Sequence, residues 1–247
     1  RSSMVSSYSL NGERIDEWTF GEEGHRINSV RPMGGGTFLT TGWNEKMGTV
    51  LNIYDSSFQN RIAQFNNYKN IIDTEVPGVE RQVFRNYPGS VISANDSMIV
   101  YGPPAYKGRL QVFRKQSNQK WEKSTFTEGY TYIQEPLVLH KSQDGNNERS
   151  HLSGFHPDGG YFHAEFHSMS HGLYRLKNNE IAHLSTRLNG NDKWDLVIEY
   201  FDPDSLKLNN YKIVKGLISS QQFQQVPLWM DESGKVYVNE NSDTPLR

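Results

Sequence analysis

Short runs in which apolar and polar residues alternate recur from one end of the chain to the other, separated by clusters of Gly, Asn, Asp, Ser and Pro. A period of two sends successive side chains to opposite faces and predicts half-buried strands. Ser3 to Phe20 reads as two strands about Asn11-Gly12, a dipeptide that supplies the positive φ of a tight hairpin turn. Ile27 to Gly42 predicts a second hairpin around Gly34 to Gly36, and Thr49 to Phe65 a third around Ser56-Ser57. No long segment combines apolar residues at three-and-four spacing with capped ends; the best helical candidate, Ser219 to Gln225, is short and Gln-rich.

The same order then returns. Ser90 to Gly102 predicts an inner pair of strands about Asn95-Asp96, and Arg109 to Phe126 an outer pair about Ser117-Asn118. His151 to Thr186 reads as one complete four-stranded unit, with turns at Pro157 to Gly160 and at Asn178-Asn179. Trp194 to Val214 adds another outer pair, and Val226 to Glu240 a last inner pair. Five outer pairs therefore stand against four inner pairs. The connections Asn66 to Pro88 and Thr127 to Ser150 exceed ordinary loop length, so each is expected to hold an extra strand or to pack across a face. Gln143 to Arg149 is expected to be an exposed tip.

Four-stranded antiparallel sheets that cannot bury both faces alone are stabilised by radial stacking. The expected fold is all-β, a β-propeller of four or five visible blades or an arc of a larger ring. Residues 1–247 are expected to form one domain, with the N-terminal outer strands pairing with the C-terminal inner strands to close the ring. Two segments carry family likenesses. His156-Pro157-Asp158-Gly159 and Leu184-Ser185-Thr186 make the His151 to Thr186 stretch similar to a TolB-type blade. Asp96 to Phe126, with Gly102-Pro103-Pro104, Gly108 and Trp121, resembles FG-GAP-type blades, though without the calcium-loop Asp-x-Asp-x-Asp-Gly pattern. Both resemblances imply a propeller and leave the function open.

Composition narrows the chemistry. The 247 residues contain no cysteine, which excludes disulfides, Cys-ligated zinc and thiol nucleophiles. A formal net charge of −2, with both signs scattered, argues against nucleic acid as a partner. No apolar run approaches the ~18 residues of a membrane span. Aromatic residues make up 12%, which suits short strands joined by many turns.

Two constellations could carry function. On a strand, His163, Glu165 and His167 share one face, and two imidazoles with a carboxylate are a reasonable set for a divalent metal. Residues two apart on a strand lie roughly 6 to 7 Å apart, so other segments would have to supply ligands or the strand would have to bend. The second set is the loops after the inner pairs, with Trp43, Asn44, Tyr106, Lys107 and His171 as contact residues for a polar ligand. Gly34 to Gly36 lacks the Gly-Lys-Ser/Thr ending of a phosphate loop, and neither H-E-x-x-H nor G-x-S-x-G occurs. The reading favoured by these observations is a non-enzymatic propeller that recognises a protein, peptide or glycan outside the cytoplasm, at the cell surface or in the periplasm. The alternative is a metal-dependent hydrolase or lyase using His163, Glu165 and His167.

Overall fold

The computed structural model describes residues 3–20, 25–44, 48–72, 76, 78–142, 152–155, 159–190, 193–219 and 228–238. The chain is all-β, and its complete sheets are four-stranded antiparallel blades in a propeller arrangement. It begins with a hairpin of β1 (Ser3–Tyr8) and β2 (Arg14–Phe20), turned through Gly12 at φ 82°. The first full blade is β3 (His25–Met33), β4 (Thr37–Asn44), β5 (Thr49–Tyr54) and β6 (Arg61–Asn67), hydrogen-bonded in that order. A short helix, α1 (Val79–Asn86), precedes the second blade of β7 (Ser90–Asn95), β8 (Met98–Gly102), β9 (Arg109–Lys115) and β10 (Trp121–Glu128).

Next comes a three-stranded sheet of β11 (Leu137–Ser142), β12 (Leu152–Phe155) and β13 (Tyr161–Phe166), with β13 in the middle. The third full blade is β14 (Ser168–Arg175), β15 (Ile181–Leu188), β16 (Lys193–Phe201) and β17 (Leu208–Ser219). A two-stranded sheet of β18 (Leu228–Met230) and β19 (Val236–Val238) follows.

The turns repeat one piece of chemistry. In the first blade Asp55 Oδ1 accepts from Ser57 N at 3.2 Å, in the second Asn95 Oδ1 accepts from Ser97 N at 3.0 Å, and between β18 and β19 Asp231 Oδ1 accepts from Ser233 N at 2.9 Å. Each is an Asx-turn in which a short polar side chain imitates the backbone. Asn95-Asp96-Ser97, which has the form of a glycosylation acceptor, is thus a turn whose Asn side chain is already engaged. Gly34 has its own reason: a Cβ there would collide with Asp96 of the next blade.

Stacking runs through the innermost strands. β7 packs against β3 and β4 on one side and β14 on the other, and β14 packs in turn against β18. Farther out, Phe65 of β6 meets Phe113 of β9 at 5.1 Å and Trp121 of β10 at 5.9 Å, so the interface between the first two blades is aromatic. The central strands β8, β15 and β16 are buried along nearly their whole length, as strands covered on both faces must be.

Two expectations are corrected. His151 to Thr186 is not one blade: β12 and β13 belong to the three-stranded sheet, whereas β14 and β15 are the inner pair for Trp194 to Val214. This removes the mismatch of five outer against four inner pairs. The chain changes sheets at His167 alone, whose N–H donates to the Pro136 carbonyl at 2.8 Å, and no glycine or proline marks the place. The connection Asn66 to Pro88 does pack across a face, as expected, but it does so with an unexpected helix, α1, whose Val79, Val83 and Phe84 are buried. The other long connection does contain its extra strand, β11. His156, Pro157 and Asp158 of the TolB-like turn, the tip at 143–149 and the helical candidate at 220–225 lie outside the described residues. No helix among the described residues is long and apolar enough to cross a membrane.

Candidate functional site

The third blade and the loop that reaches it from the second enclose a chain of polar side chains. His183 on β15 stands directly opposite Glu199 on β16, and its Nδ1 lies 2.8 Å from Glu199 Oε2. The other ring nitrogen, Nε2, is 2.8 Å from Ser170 Oγ on β14, which is itself 2.8 Å from Ser90 Oγ on β7 of the neighbouring blade. The Tyr106 hydroxyl donates to Glu199 Oε2 at 2.7 Å, and the Tyr130 N–H donates to Glu199 Oε1 at 2.5 Å. All five of Ser90, Tyr106, Ser170, His183 and Glu199 are buried.

Electrostatics fix the direction of these bonds. Burial raises the Glu199 pKa, but hydrogen bonding and charge from His183, with the Tyr106 hydroxyl and the Tyr130 N–H, outweigh it and leave the carboxyl below its ordinary value. A carboxylate can only accept, so His183 Nδ1 carries a proton and donates to Glu199. Burial first, and the neighbouring Glu199 charge second, push the Tyr106 phenol well above its usual range and keep it a donor.

Serine, imidazole and carboxylate in this sequence have the connectivity of an acyl-transfer triad. The surroundings oppose that use. Ser90 Oγ sits against Ser170 Oγ, and Gly102 is so close that a Cβ would lie 2.5 Å from Ser170 Oγ. Ser170 is buried, with its hydroxyl held between Ser90 and His183. The chain of side chains instead ties the second blade to the third, helped by Arg175 of β14, which donates to the backbone carbonyls of Ser93 (3.2 Å) and Ala94 on β7.

A cleft opens next to this lock. It has a volume of about 510 Å³ and is lined by Ile133, Glu135, His167, Arg187, Leu188 and Asn189, among others. Its loop wall is held from below: Ile133 N–H donates to the Lys107 carbonyl at 3.0 Å, and Gly129 N–H to the Gly108 carbonyl at 2.9 Å. The Arg187 guanidinium lies 5.8 Å from the centre of the Tyr130 ring, a cation–π distance.

The residues nominated from sequence are scattered by the fold. Tyr106 comes to the lock, His171 bonds instead to Thr186 on β15, and Lys107 is exposed and supports the cleft through its carbonyl. Trp43 is not on a contact loop. It is buried in the first blade against Tyr68 (4.5 Å) and Phe84 (6.4 Å). Tyr106 is likewise buried, contrary to the expectation of a surface ring. Asn44 ends β4, paired with His25 and Thr49.

The His163, Glu165 and His167 set does not close on one point. His163 is buried with Nδ1 2.9 Å from Ser153 Oγ. Glu165 lies between His140 Nε2 at 3.7 Å and His167 Nε2 at 3.8 Å. His140 pairs across the ladder with His163, on the side of Glu165 away from His167, so the two rings bracket the carboxylate and do not converge. Among the described residues, no group of three or more His, Asp or Glu side chains is arranged to hold a metal ion.

No protein-family model matches the chain, and no curated protein matches it. Solved structures give distant likenesses. Hsv2 of Kluyveromyces lactis is 10% identical with a TM-score of 0.39 over 94% of this chain, which spans 64% of Hsv2. A 6-phosphogluconolactonase-like protein of Bacteroides uniformis is 13% identical with a TM-score of 0.38, over 94% of this chain and 75% of that one. A Bacteroides caccae protein of unknown function is 9% identical with a TM-score of 0.35, over 96% and 82%. Likenesses this remote carry no argument, and the architecture stands on the chain's own sheets.

Two outcomes are expected from the lock. Tyr106→Phe removes one of the donors to Glu199 and should cost roughly 1–3 kcal/mol in chemical denaturation. His171, at the β14 bulge with Nε2 2.7 Å from Thr186 Oγ1, is lowered from 6.5 to about 3, by burial first and by neighbouring His183 second. A histidine depressed in the fold takes up its proton only on unfolding. Stability should therefore fall as pH drops below about 6.5, by at most ~1.4 kcal/mol per unit. Glu199 adds its own loss only below its ordinary value of 4.5. Melting curves between those two values should show the slope, and His171→Gln should flatten it.

Proposed function

We propose that the chain is a non-enzymatic recognition propeller, and that its working surface is the cleft between the Ile133 loop and the end of β15. One observation carries this reading: a cleft of about 510 Å³ in which an arginine, a histidine and a carboxylate stand beside apolar Ile133 and Leu188. Binding sites have this size and mixture, with a few polar groups setting orientation on a partly apolar wall. The acid–base chain next to it is enclosed and serves packing. Peptides and glycans are the partner classes that suit an open, polar cleft of this kind.

The test is capture on an immobilised panel of peptides and glycans. His167→Ala combined with Arg187→Ala should weaken binding at least ~10-fold, the loss of a charge-assisted contact, while the melting temperature stays nearly constant. Capture that is indifferent to both substitutions would count against this cleft.

A further inference from the structure

Resting on that reading of the cleft, we propose that it takes a dipolar ligand, with a carboxylate on Arg187 and an ammonium group on Glu135. The inference starts from two charges that the fold leaves unanswered. Arg187 and Glu135 line the same cleft, yet neither forms an ion pair with the other or with any charged group among the described residues.

Two other polar groups of the cleft are already engaged. The Asn189 side chain donates to Asp195 Oδ1 at 2.7 Å, and its oxygen accepts from the Lys193 N–H at 3.4 Å. His167 faces Glu165. Arg187 rests against the Tyr130 ring, whose segment is pinned by the bond from Tyr130 N–H to Glu199, so the guanidinium is held with its fork free. A planar fork of this kind matches a carboxylate with two parallel hydrogen bonds. Glu135 is exposed in the same lining, and its carboxylate can only accept, as an ammonium group requires.

A ligand bearing one charge would satisfy one wall and oppose the other. A free amino acid or short peptide, carrying both charges at a fixed separation with an apolar body for Ile133 and Leu188, satisfies both. A cleft of about 510 Å³ accommodates a molecule of that size.

The experiment is calorimetric titration of the full chain with leucyl-leucine, its N-acetyl derivative and its C-terminal amide. On the unaltered protein each cap should weaken binding at least ~10-fold, the loss of one charge-assisted contact. Arg187→Gln should erase the difference between acid and amide only, and Glu135→Gln the difference between free and acetylated amine only. Equal binding of all three forms, or no binding of the parent dipeptide at millimolar concentration, overturns the proposal. The comparison of caps needs no variant, so a misfolded substitution cannot obscure it. If peptide or glycan capture depends on Arg187 and His167 while the caps have no effect, recognition at the cleft stands and the dipolar ligand falls. If capture is indifferent to those residues, the cleft itself is the wrong surface.

Discussion

A carboxylate buried between two blades must be answered by donors or the fold does not form. Glu199 sits in the buried, mostly apolar run Leu196 to Phe201 of β16, and an unpaired charge there would cost several kcal/mol. It is met by His183 on the adjacent strand, by Tyr106 from the preceding blade and by the Tyr130 N–H from the connection that follows that blade. Each donor comes from a different segment. Satisfying one side chain therefore sets the position of all three.

That constraint passes outward to the cleft. The Tyr130 segment continues through Ile133 and Glu135, and the Tyr130 ring is the surface on which Arg187 lies. The same connection leads into β11 and so into the three-stranded sheet, which packs into the core through Phe162 and Phe166 while β7 and β14 of the flanking blades touch directly. The extra sheet joins the third blade at His167, a cleft residue. An acidic lock in the interior thus holds a polar recess on the surface, and the network that packs two blades also supports the cleft proposed for recognition.

Much of the fold was legible in alternation and turn chemistry. Asp55, Asn95 and Asp231, each followed two residues later by serine, marked real turns, and the first two full blades follow the predicted strand pairs. The third blade was misphased because the switch of sheets at His167 interrupts neither the alternation nor the β-rich composition. Helix α1 was missed because eight residues give too short a window for its period, and its N-cap is Gly78 and not a side-chain cap. The histidines drew attention to β13, while the informative signals were quieter: His183 within Ile-Ala-His-Leu and Glu199 within Val-Ile-Glu-Tyr, ionisable groups with apolar neighbours in sequence. Of the nominated contact residues, Tyr106 reached the lock. The pairing of Arg187 with Glu135 across one cleft depends on a connection between blades that no local spacing encodes.

The dependence of the cleft on the lock can be measured by hydrogen exchange. In Glu199→Gln, a single neutral amide oxygen replaces a carboxylate that accepts from three donors. Amide protection should fall at least ~10-fold across residues 129–135, while the amides of β15 and β16 that bond to one another keep theirs. Unchanged protection at Tyr130 and its neighbours, or an equal loss throughout the third blade, would contradict it.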